Sequence, residues 1–339
     1  MSKDRVVPIP KPTFSHAELA DRVFEDVVWG INGLVPQGVS ILAAKPKIGK
    51  SWLALQMCWA VAAGREIWDG REPEKQGTAL YLALEDNQRR LQTRSKKQFP
   101  QSLIRDDQGA VSWQAQPLSN LHFATEWPRI GQGGIKRLNS WLNKHPDCAL
   151  IAIDTLARIR AARSGSNFYE DDYKVGEQLK RVADAHEVAI MLIHHTRKMD
   201  AEDPFDTISG SQGLAGSVDA SLVLTRLRGH TEAGLFITGR DIEDEVELAI
   251  QFDKNECRWN SSGITVQEAK MDESRRAVLD IVRKSDMPLT IKQIRGKLSE
   301  DGITKSAEAI RKTVQRMFKQ EQLEKVDGNK YQSHVSQYG

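Results

Sequence analysis

The strongest constraint on the fold of this 339-residue chain is the segment 39–63, where an apolar run, a basic turn and a helix-forming stretch follow one another. The apolar run ends at Ala44, and residues 52–63 carry apolar side chains at helical spacing before Gly64, a residue typical of helix C-termini. A phosphate-binding loop requires this order of strand, tight loop and helix. The segment therefore predicts an α/β fold with a candidate nucleotide site at the start of the helix.

The residue types in this loop suit the binding of a triphosphate. Gly49 permits close approach, so that successive backbone N–H groups can face a phosphate at the positive end of the helix. Lys50 can reach the β- and γ-phosphates, and the Ser51 hydroxyl can hold a Mg²⁺ that bridges them. Against the pattern G-x-x-x-x-G-K-[ST], Ala44 replaces the first glycine, and a basic surface turn is the alternative interpretation. The residues expected to bind the nucleotide are Ala44, Lys45, Pro46, Lys47, Ile48, Gly49, Lys50, Ser51 and Trp52.

The composition is that of an ordinary globular protein, with 40% hydrophobic and 28% charged residues. The length suffices for one large domain and a small one. No run approaches the ~18 apolar residues of a membrane span, and the polar N-terminal residues contain no apolar signal region, so a cytoplasmic protein is expected. Cys58, Cys148 and Cys257 are far apart in the sequence and are predicted to be packing residues.

Apolar runs that alternate with helical patterns predict a parallel sheet with helices on both faces. Strands are expected at residues 39–44, 78–84, 121–124, 148–154 and 188–193, and helices at 15–24, 52–63, 87–99, 135–144 and 169–186. Three closely spaced later strands, at 220–225, 235–238 and 247–252, are expected to extend the sheet as an antiparallel edge. Ligands of such sheets bind beyond the carboxyl ends of the strands, where Glu85, Asp154 and a histidine pair fall.

The carboxylates at these strand ends predict the chemistry of the site. Asp154 closes an apolar strand and is placed to hold Mg²⁺ through water or through Ser51. Glu85 is expected to be the base that orients and activates the attacking water, with Asp86 as its competitor. The alternative is that both acidic residues cap the following helix, where negative charge is favoured.

The histidine pair offers a candidate sensor of the γ-phosphate. His194 and His195 cannot both face the nucleotide, because adjacent residues of a strand point to opposite faces. The sequence leaves open which of the two does so. A zinc site has no further His or Cys at ligand spacing, and a histidine merely hydrogen-bonded at a strand end is the other alternative.

An arginine borrowed from a neighbouring subunit often neutralises transition-state charge in ATPases of this layout. Arg240, at the end of a late strand, is the first candidate, with Arg226 and Arg228 in reserve. The alternative is an exposed arginine paired with Asp241 or Glu243.

Nucleic-acid contacts are sought first in two loops of the sheet domain. Arg158, Arg160 and Arg163 lie in a basic loop, and a second loop, 198–213, is rich in Asp, Ser and Gly. Basic side chains that follow a phosphodiester backbone bind without sequence preference and in a salt-sensitive way. A solvated loop is the alternative for each.

The C-terminal part carries a basic excess, with 15 Lys and Arg against 10 Asp and Glu from Lys270 onward, and 33 against 36 in the rest. Helices expected at 272–284, 290–300 and 306–319, followed by a two-stranded wing that turns at 327–328, predict a winged helix-turn-helix. Such a unit binds DNA or docks proteins, and the basic third helix favours DNA. Its exposed basic residues are expected to be Arg311, Lys312, Arg316 and Lys319.

The ordered set of motifs resembles the RecA-like ATPases of the plasmid replication helicase RepA group over about residues 27–255. The segments that carry the resemblance are 29–36, 45–55, 84–86, 151–156, 194–198 and 209–219. It implies a homohexameric ring with ATP between subunits and single-stranded DNA in the central channel. It also implies that Lys50 and Ser51 bind phosphate and Mg²⁺, that Glu85 is the catalytic carboxylate and Asp154 the metal-side acid, and that His194 and His195 supply the sensor. DnaB-type relatives carry a Lys-x-Arg finger; here Thr238 replaces the lysine and Arg240 remains.

These observations predict an ATP-hydrolysing, ring-forming DNA motor of a plasmid, phage or other mobile element. The expected division is a lead-in at 1–27, a RecA-like ATPase domain at 28–262 and a winged helix at 270–335. The alternative is an ATP-switched regulator in which the winged helix reads duplex DNA without unwinding. A RecA-like recombinase or clock-type ring ATPase is a third possibility, disfavoured because neither a strand-exchange signature nor a duplicated core is evident.

Overall fold

A large α/β sheet domain and a small helical unit make up the protein. The computed structural model describes residues 14–23, 27–68, 70–99, 103–105, 111–113, 118–160, 168–197, 201, 203–208, 214, 216–226, 232–271, 273–285, 287–320, 322–326 and 329–333. Helix and strand bounds below refer to these residues.

The strands follow the apolar runs of the sequence. In chain order they are β1 (Trp29–Ile31), β2 (Val35–Pro36), β3 (Gly38–Ala44), β4 (Thr78–Ala83), β5 (Leu103–Arg105), β6 (Val111–Trp113), β7 (Leu121–Ala124), β8 (Cys148–Asp154), β9 (Ala189–His195), β10 (Ala220–Arg226), β11 (Glu232–Gly239), β12 (Val246–Asp253), β13 (Arg258–Ser261), β14 (Leu289–Thr290), β15 (Leu323–Val326) and β16 (Lys330–Ser333). The expected strand bounds are confirmed to within three residues at each end.

The helices occupy the connections between strands. They are α1 (His16–Ala20), α2 (Lys50–Ala63), α3 (Gln88–Gln98), α4 (Gly134–Leu142), α5 (Leu156–Ile159), α6 (Phe168–His186), α7 (Val266–Ala269), α8 (Glu273–Arg283), α9 (Ile291–Glu300) and α10 (Ala307–Lys319), with 3₁₀ turns at Ile130–Gln132 and Pro204–Thr207. Helix α2 ends as its sequence predicts, because Gly64 adopts a left-handed conformation (φ 61°) and its N–H returns to the carbonyls of Ala60 and Val61.

Nine of these strands form one sheet in the order β13-β12-β11-β10-β3-β9-β8-β4-β7. The six strands from β10 to β7 are parallel, and β11 to β13 form an antiparallel edge. The expectation that residues 220–225 belong to that edge is wrong, because β10 pairs parallel with β3. Its connection from β9 is long enough to return to the starting end of the sheet, whereas only residues 227–231 separate β10 from β11.

The sheet separates two apolar cores. One lies between the sheet and α2, and includes Leu53, Met57 and Ile193; the other lies against α4, α5 and α6, and includes Leu179 and Leu192. Because strand residues alternate between faces, Ile193 and Leu192 contribute to different cores. Each fully buried Leu or Met side chain contributes about 2 kcal/mol through removal of apolar surface from water.

The C-terminal residues fold around a third core that includes Val278, Ile294 and Val314. Helices α8, α9 and α10 pack with a three-stranded sheet in the order β14-β16-β15. Thr290 and Gln293 form a reciprocal capping box at the start of α9, and Ser306 caps α10. Three helices and the two strands β15 and β16 were expected here; the turn predicted at 327–328 lies outside the described residues, and β14 was not expected.

Among the described residues, we find no helix with the length and apolar character needed to cross a bilayer. The short N-terminal helix expected over 15–24 is present only as His16–Ala20. The three cysteines are buried, as their assignment to packing predicts, and burial raises the pKa of the Cys148 thiol to about 12.

Candidate nucleotide-binding site

The predicted phosphate-binding loop lies between the end of β3 and the start of α2. Its left-handed residues are Lys47 (φ 65°) and Gly49 (φ 111°), and Gly49 is the N-cap of α2. Ala44 is the last residue of the fully buried strand β3 and has no positive φ, so the bend of the loop does not require glycine there. The replacement of the first motif glycine by Ala44 is therefore compatible with this loop geometry. Lys45, Pro46 and Lys47 are exposed, whereas Ile48, Ser51 and Trp52 are partly buried.

Lys50 begins α2 and turns its side chain into the protein, where only 6% of the residue is exposed. Its Nζ lies 3.1 Å from Nδ1 of His195, at the end of the neighbouring strand β9. Burial lowers the pKa of Lys50, and the carboxylates of Asp154 and Glu85 oppose part of that shift. An ammonium held in this way needs an anionic partner, which is the chemistry expected of a phosphate ligand.

The histidine pair divides between the two faces of the sheet. His195 shares the face of Ile193, which packs in the α2 core, and it contacts Lys50. His194 is buried and points to the other face, because neighbouring strand residues alternate. Burial, followed by the nearby charge of Lys50, lowers the pKa of His195. Of the two residues, His195 is the one next to the candidate phosphate site. No group of three or more His, Cys, Asp or Glu side chains that could hold a metal ion occurs in the described part of the chain.

Asp154 ends β8 on the same face and is 7% exposed. Its Oδ2 accepts a hydrogen bond of 2.7 Å from the hydroxyl of Tyr81, and the same hydroxyl lies 3.4 Å from the carbonyl oxygen of Ser51. Burial and the Asp154 charge raise the pKa of Tyr81 well above its usual value, so its proton stays in place as a donor. The Asp154–Thr155 peptide bond is cis. Tyr81 thus joins the predicted metal-side acid to the first turn of α2.

The two acidic residues after β4 have different environments. Asp86 is almost fully buried and pairs with Arg90 (3.0 Å) and Arg94 (2.7 Å), both from α3. The side chain of Glu85 is 45% exposed, and its Oε1 lies 3.2 Å from the Thr155 hydroxyl and 3.4 Å from Nε of Arg158. Asp86 is therefore committed to the arginines of α3, and Glu85 is the carboxylate open to solvent beside Lys50.

Trp259, in the edge strand β13, reaches the phosphate-binding loop and was missed by the sequence analysis. Its indole Nε1 donates to the carbonyl oxygen of Gly49 at 3.1 Å, and a Cβ placed on Gly49 would lie 3.0 Å from the ring. Gln56 of α2 exchanges two hydrogen bonds with the backbone of Trp259, and Trp68 donates a third at 2.7 Å. No local signal could have revealed this contact, because 210 positions separate Trp259 from Gly49.

Arg240 lies at the edge of the sheet opposite the loop. Ala220 pairs both with Ser40 near the start of β3 and with Gly239 at the end of β11, and this places Arg240 beside the start of β3. The Arg240 side chain is 63% exposed; Nη1 lies 3.7 Å from Oδ1 of the buried Asp219, and Nη2 donates to the carbonyl of Gly216. Arg240 therefore cannot approach the nucleotide of its own subunit without rearrangement of the sheet.

The reserve arginines lie at the other edge. Arg226 follows Leu224, which pairs with Ala44, so Arg226 is near the loop end of the sheet and is exposed. Arg228 lies outside the described residues.

The basic residues predicted to contact DNA fall in two regions. Arg158 contacts Glu85, Arg160 pairs with the buried Asp172 at 3.1 Å, and Arg163 lies outside the described residues, as does most of the second candidate loop. The basic residues of α10 are all exposed, and Lys312 pairs with Glu308 at 2.8 Å. These residues of α10 are Arg311, Lys312, Arg316 and Lys319.

A mostly parallel sheet flanked by helices, with this loop after its central strand, defines the class of the protein as an ATPase-type domain of RecA-like helicase fold. The AAA domain family matches residues 8–201, and the chain belongs to that family. No curated protein sequence matches the chain.

Two solved structures are similar to this chain at low sequence identity. A DnaB-like replicative helicase, studied for its interactions with primase, has a TM-score of 0.50 and 14% identity over 66% of this chain and 57% of its own. The second is a separately solved ATPase domain, with a TM-score of 0.49 and 14% identity over 66% of this chain and 84% of its own. The match thus spans little more than half the length of the DnaB-like helicase, and at this identity the likeness concerns the fold alone.

Proposed function

We propose that this chain is an ATP-hydrolysing motor that forms a ring and moves along single-stranded DNA, as a replicative helicase of a plasmid, phage or other mobile element. The observation that carries the proposal is the convergence of Lys50, His195, Glu85 and Asp154 at the start of α2. Two cationic or neutral nitrogens and two carboxylates there match the needs of phosphoryl transfer, which depends on positioning and charge neutralisation.

The triphosphate would lie on the backbone N–H groups of the loop, with Lys50 at its terminal phosphates. Mg²⁺ prefers carboxylate and hydroxyl oxygens, and Ser51 and Asp154 supply them within one hydrogen-bonded group that includes Tyr81. When bound, the ion would neutralise phosphate oxygens. The buried position of Asp154 and the bond from Tyr81 hold that carboxylate in one orientation, as a metal-side ligand requires.

Hydrolysis would proceed by in-line attack of a water on the γ-phosphorus. The water oxygen forms the new bond to phosphorus, the bond to the bridging oxygen breaks, and ADP leaves with the electron pair. Glu85 takes the proton of the water, because Asp86 is already paired with two arginines. His195, beside Lys50, would respond to the γ-phosphate.

The ring and the trans-acting arginine are part of the proposal. Arg240 lies at the sheet edge far from the loop of its own subunit, which suits a group that completes the site of a neighbouring copy. A homohexamer would place such an arginine at each interface, with single-stranded DNA in the channel.

We further propose that residues 28–262 form the ATPase domain, that 1–27 are a lead-in, and that 270–335 form a winged helix that binds duplex DNA. Three helices, a three-stranded sheet and an exposed basic third helix support the last assignment. The same unit favours a second candidate function, an ATP-switched regulator that reads duplex DNA without unwinding it.

ATP turnover with and without single-stranded DNA, on the wild type and on Lys50→Ala, tests the proposal. A motor is stimulated by single-stranded DNA, displaces an annealed strand and gains mass as an oligomer with nucleotide; a regulator prefers one duplex sequence and turns over slowly without stimulation. Full turnover by Lys50→Ala would overturn the assignment of the site.

A further inference from the structure

Glu85 and Arg158 bring together two side chains that the proposed function uses for different purposes. Glu85 follows β4 and Arg158 follows β8, and these strands are paired in parallel so that Ala83 lies beside Asp154. The segment after β8 therefore passes over Glu85. Nε of Arg158 lies 3.4 Å from Oε1 of Glu85, and the Thr155 hydroxyl lies 3.2 Å from the same oxygen.

The two described arginines of this segment have different environments. Arg160 is fixed, because Nη1 pairs with the buried Asp172 and the Arg160 carbonyl accepts from Arg129 at 2.7 Å. The Arg158 side chain is 59% exposed, and its partner Glu85 is 45% exposed. An exposed ion pair of this kind is weak and is readily exchanged for another anion. A phosphodiester, which accepts charge-assisted hydrogen bonds from a guanidinium, is a suitable competitor.

We propose that Arg158 is a positioning residue that couples DNA occupancy to hydrolysis: it holds Oε1 of Glu85 when DNA is absent and releases it when its guanidinium moves to a phosphodiester. The inference rests on the proposed function, in which Glu85 accepts the proton of the attacking water. In the held state Oε1 already accepts from two donors, which makes it a poorer proton acceptor. Thr155 alone remains on that oxygen in the released state.

The size of the effect is limited by the strength of the pair. An exposed ion pair restrains its partner by a factor of about two to five, so DNA contact through Arg158 accounts for a stimulation of that order. Larger stimulation would have to come from other steps, such as assembly of the ring.

The test measures kcat and KM for ATP, with and without a saturating oligo-dT strand, on the wild type, Arg158→Ala and Arg158→Lys. We expect Arg158→Ala to raise the DNA-free kcat about two- to fivefold with KM unchanged, and to lose the same factor of stimulation. Arg158→Lys should return the DNA-free kcat toward the wild type, because an ammonium can also pair with Glu85. A matched control is Arg181→Ala, which removes an exposed arginine paired with Glu177 away from the site.

The double variant Arg158→Ala, Glu85→Gln distinguishes action through Glu85 from a structural role. Its kcat should equal that of Glu85→Gln alone. A DNA-free kcat that is unchanged or lower in Arg158→Ala, or a double variant faster than Glu85→Gln, overturns the inference. If Lys50→Ala and Glu85→Gln both abolish turnover in the same experiments, the proposed function stands even when the inference about Arg158 fails. Full turnover by Lys50→Ala would instead remove the proposed function itself.

Discussion

The indole N–H of Trp259 donates a hydrogen bond of 3.1 Å to the carbonyl oxygen of Gly49, the residue that precedes the first helical turn of α2. The last strand of the main sheet therefore supports the loop at its centre. Gly49 has a φ of 111°, which a residue with a side chain rarely adopts, and the Trp259 ring fills the space where a Cβ would project. The loop conformation thus depends on a residue that lies far away in the sequence.

Removal of this hydrogen bond should weaken nucleotide binding. Trp259→Phe keeps an aromatic ring against Gly49 but deletes the donor, and we expect the Kd for ATP to rise about three- to tenfold, since a net hydrogen bond is worth about 1 kcal/mol. Calorimetric titration with ATP measures the change. Trp141→Phe, which alters a tryptophan stacked on His145 elsewhere in the sheet domain, is the control. Equal affinity of Trp259→Phe and the wild type would show that the contact does not shape the loop.

The two acidic residues after β4 should separate turnover from stability. Glu85→Gln should lower kcat by a factor of about 10² or more while ATP still binds, because the proton acceptor is lost. Asp86→Asn should keep most of its turnover but unfold at lower temperature, because Arg90 and Arg94 lose their charged partner. Steady-state kinetics and thermal unfolding of both variants provide the comparison, and the reverse pattern would assign the base to Asp86.

The contact between Lys50 and His195 predicts a pH dependence of stability. The pKa of His195 is lowered in the folded protein from its usual value of 6.5, so the unfolded chain binds more protons below that pH. Stability should therefore fall as the pH drops below 6.5 and the histidine is forced to titrate beside an ammonium. His195→Gln should reduce the slope of melting temperature against pH between about 5 and 7. His16→Gln, at an exposed position in α1, should leave the slope unchanged; an unaltered slope in His195→Gln would contradict the prediction.

The C-terminal unit is held to the sheet domain by buried carboxylates. Nη1 of Arg276 in α8 lies 2.7 Å from Glu232 at the start of β11, and Nη2 donates to the carbonyl of Ala269. Arg276→Ala leaves Glu232 buried without this cation and should lower the free energy of unfolding by about 2 kcal/mol. Chemical denaturation measures this change. Lys312→Ala breaks an ion pair that is exposed on both sides and should have almost no effect, so similar losses in both variants would argue against a docking role for Arg276.

The exposed arginines of α10 should contribute to duplex binding through counterion release. Each of Arg311→Ala and Arg316→Ala should lower the affinity for duplex DNA and reduce the slope of log K against log salt by about 0.9, if each contacts one phosphate. Fluorescence anisotropy at several salt concentrations gives both quantities. Arg181→Ala serves as the control on the ATPase domain. An unchanged slope in both α10 variants would favour the alternative in which this unit docks a protein.

Much of the fold could be predicted because it is encoded locally. The run that ends at Ala44, the glycine after α2 and the apolar strand that closes on Asp154 all act over short distances through backbone preference and burial. The parallel pairing of β10 could not be read in this way. Strand direction depends on where a connection returns, and the neighbouring short spacings suggested a hairpin.

The candidate site was predictable as a set of residues but not as an arrangement. Alternation along β9 showed that only one of His194 and His195 faces the phosphate loop, but the choice required knowing which face of the sheet α2 covers. The different environments of Glu85 and Asp86 likewise come from α3 and from the segment after β8, which approach from separate parts of the chain.

The sequence by itself determined which chemical groups this protein holds at the ends of its strands, because strand and helix periodicity and loop composition are local properties. Tertiary structure decided which of those groups meet. It placed Trp259 against Gly49, Tyr81 against Asp154 and Arg158 against Glu85, through contacts between residues 70 or more positions apart. Such contacts arise when separate elements pack around a common core, and the free energy that selects them is shared over the whole buried surface rather than carried by any one segment.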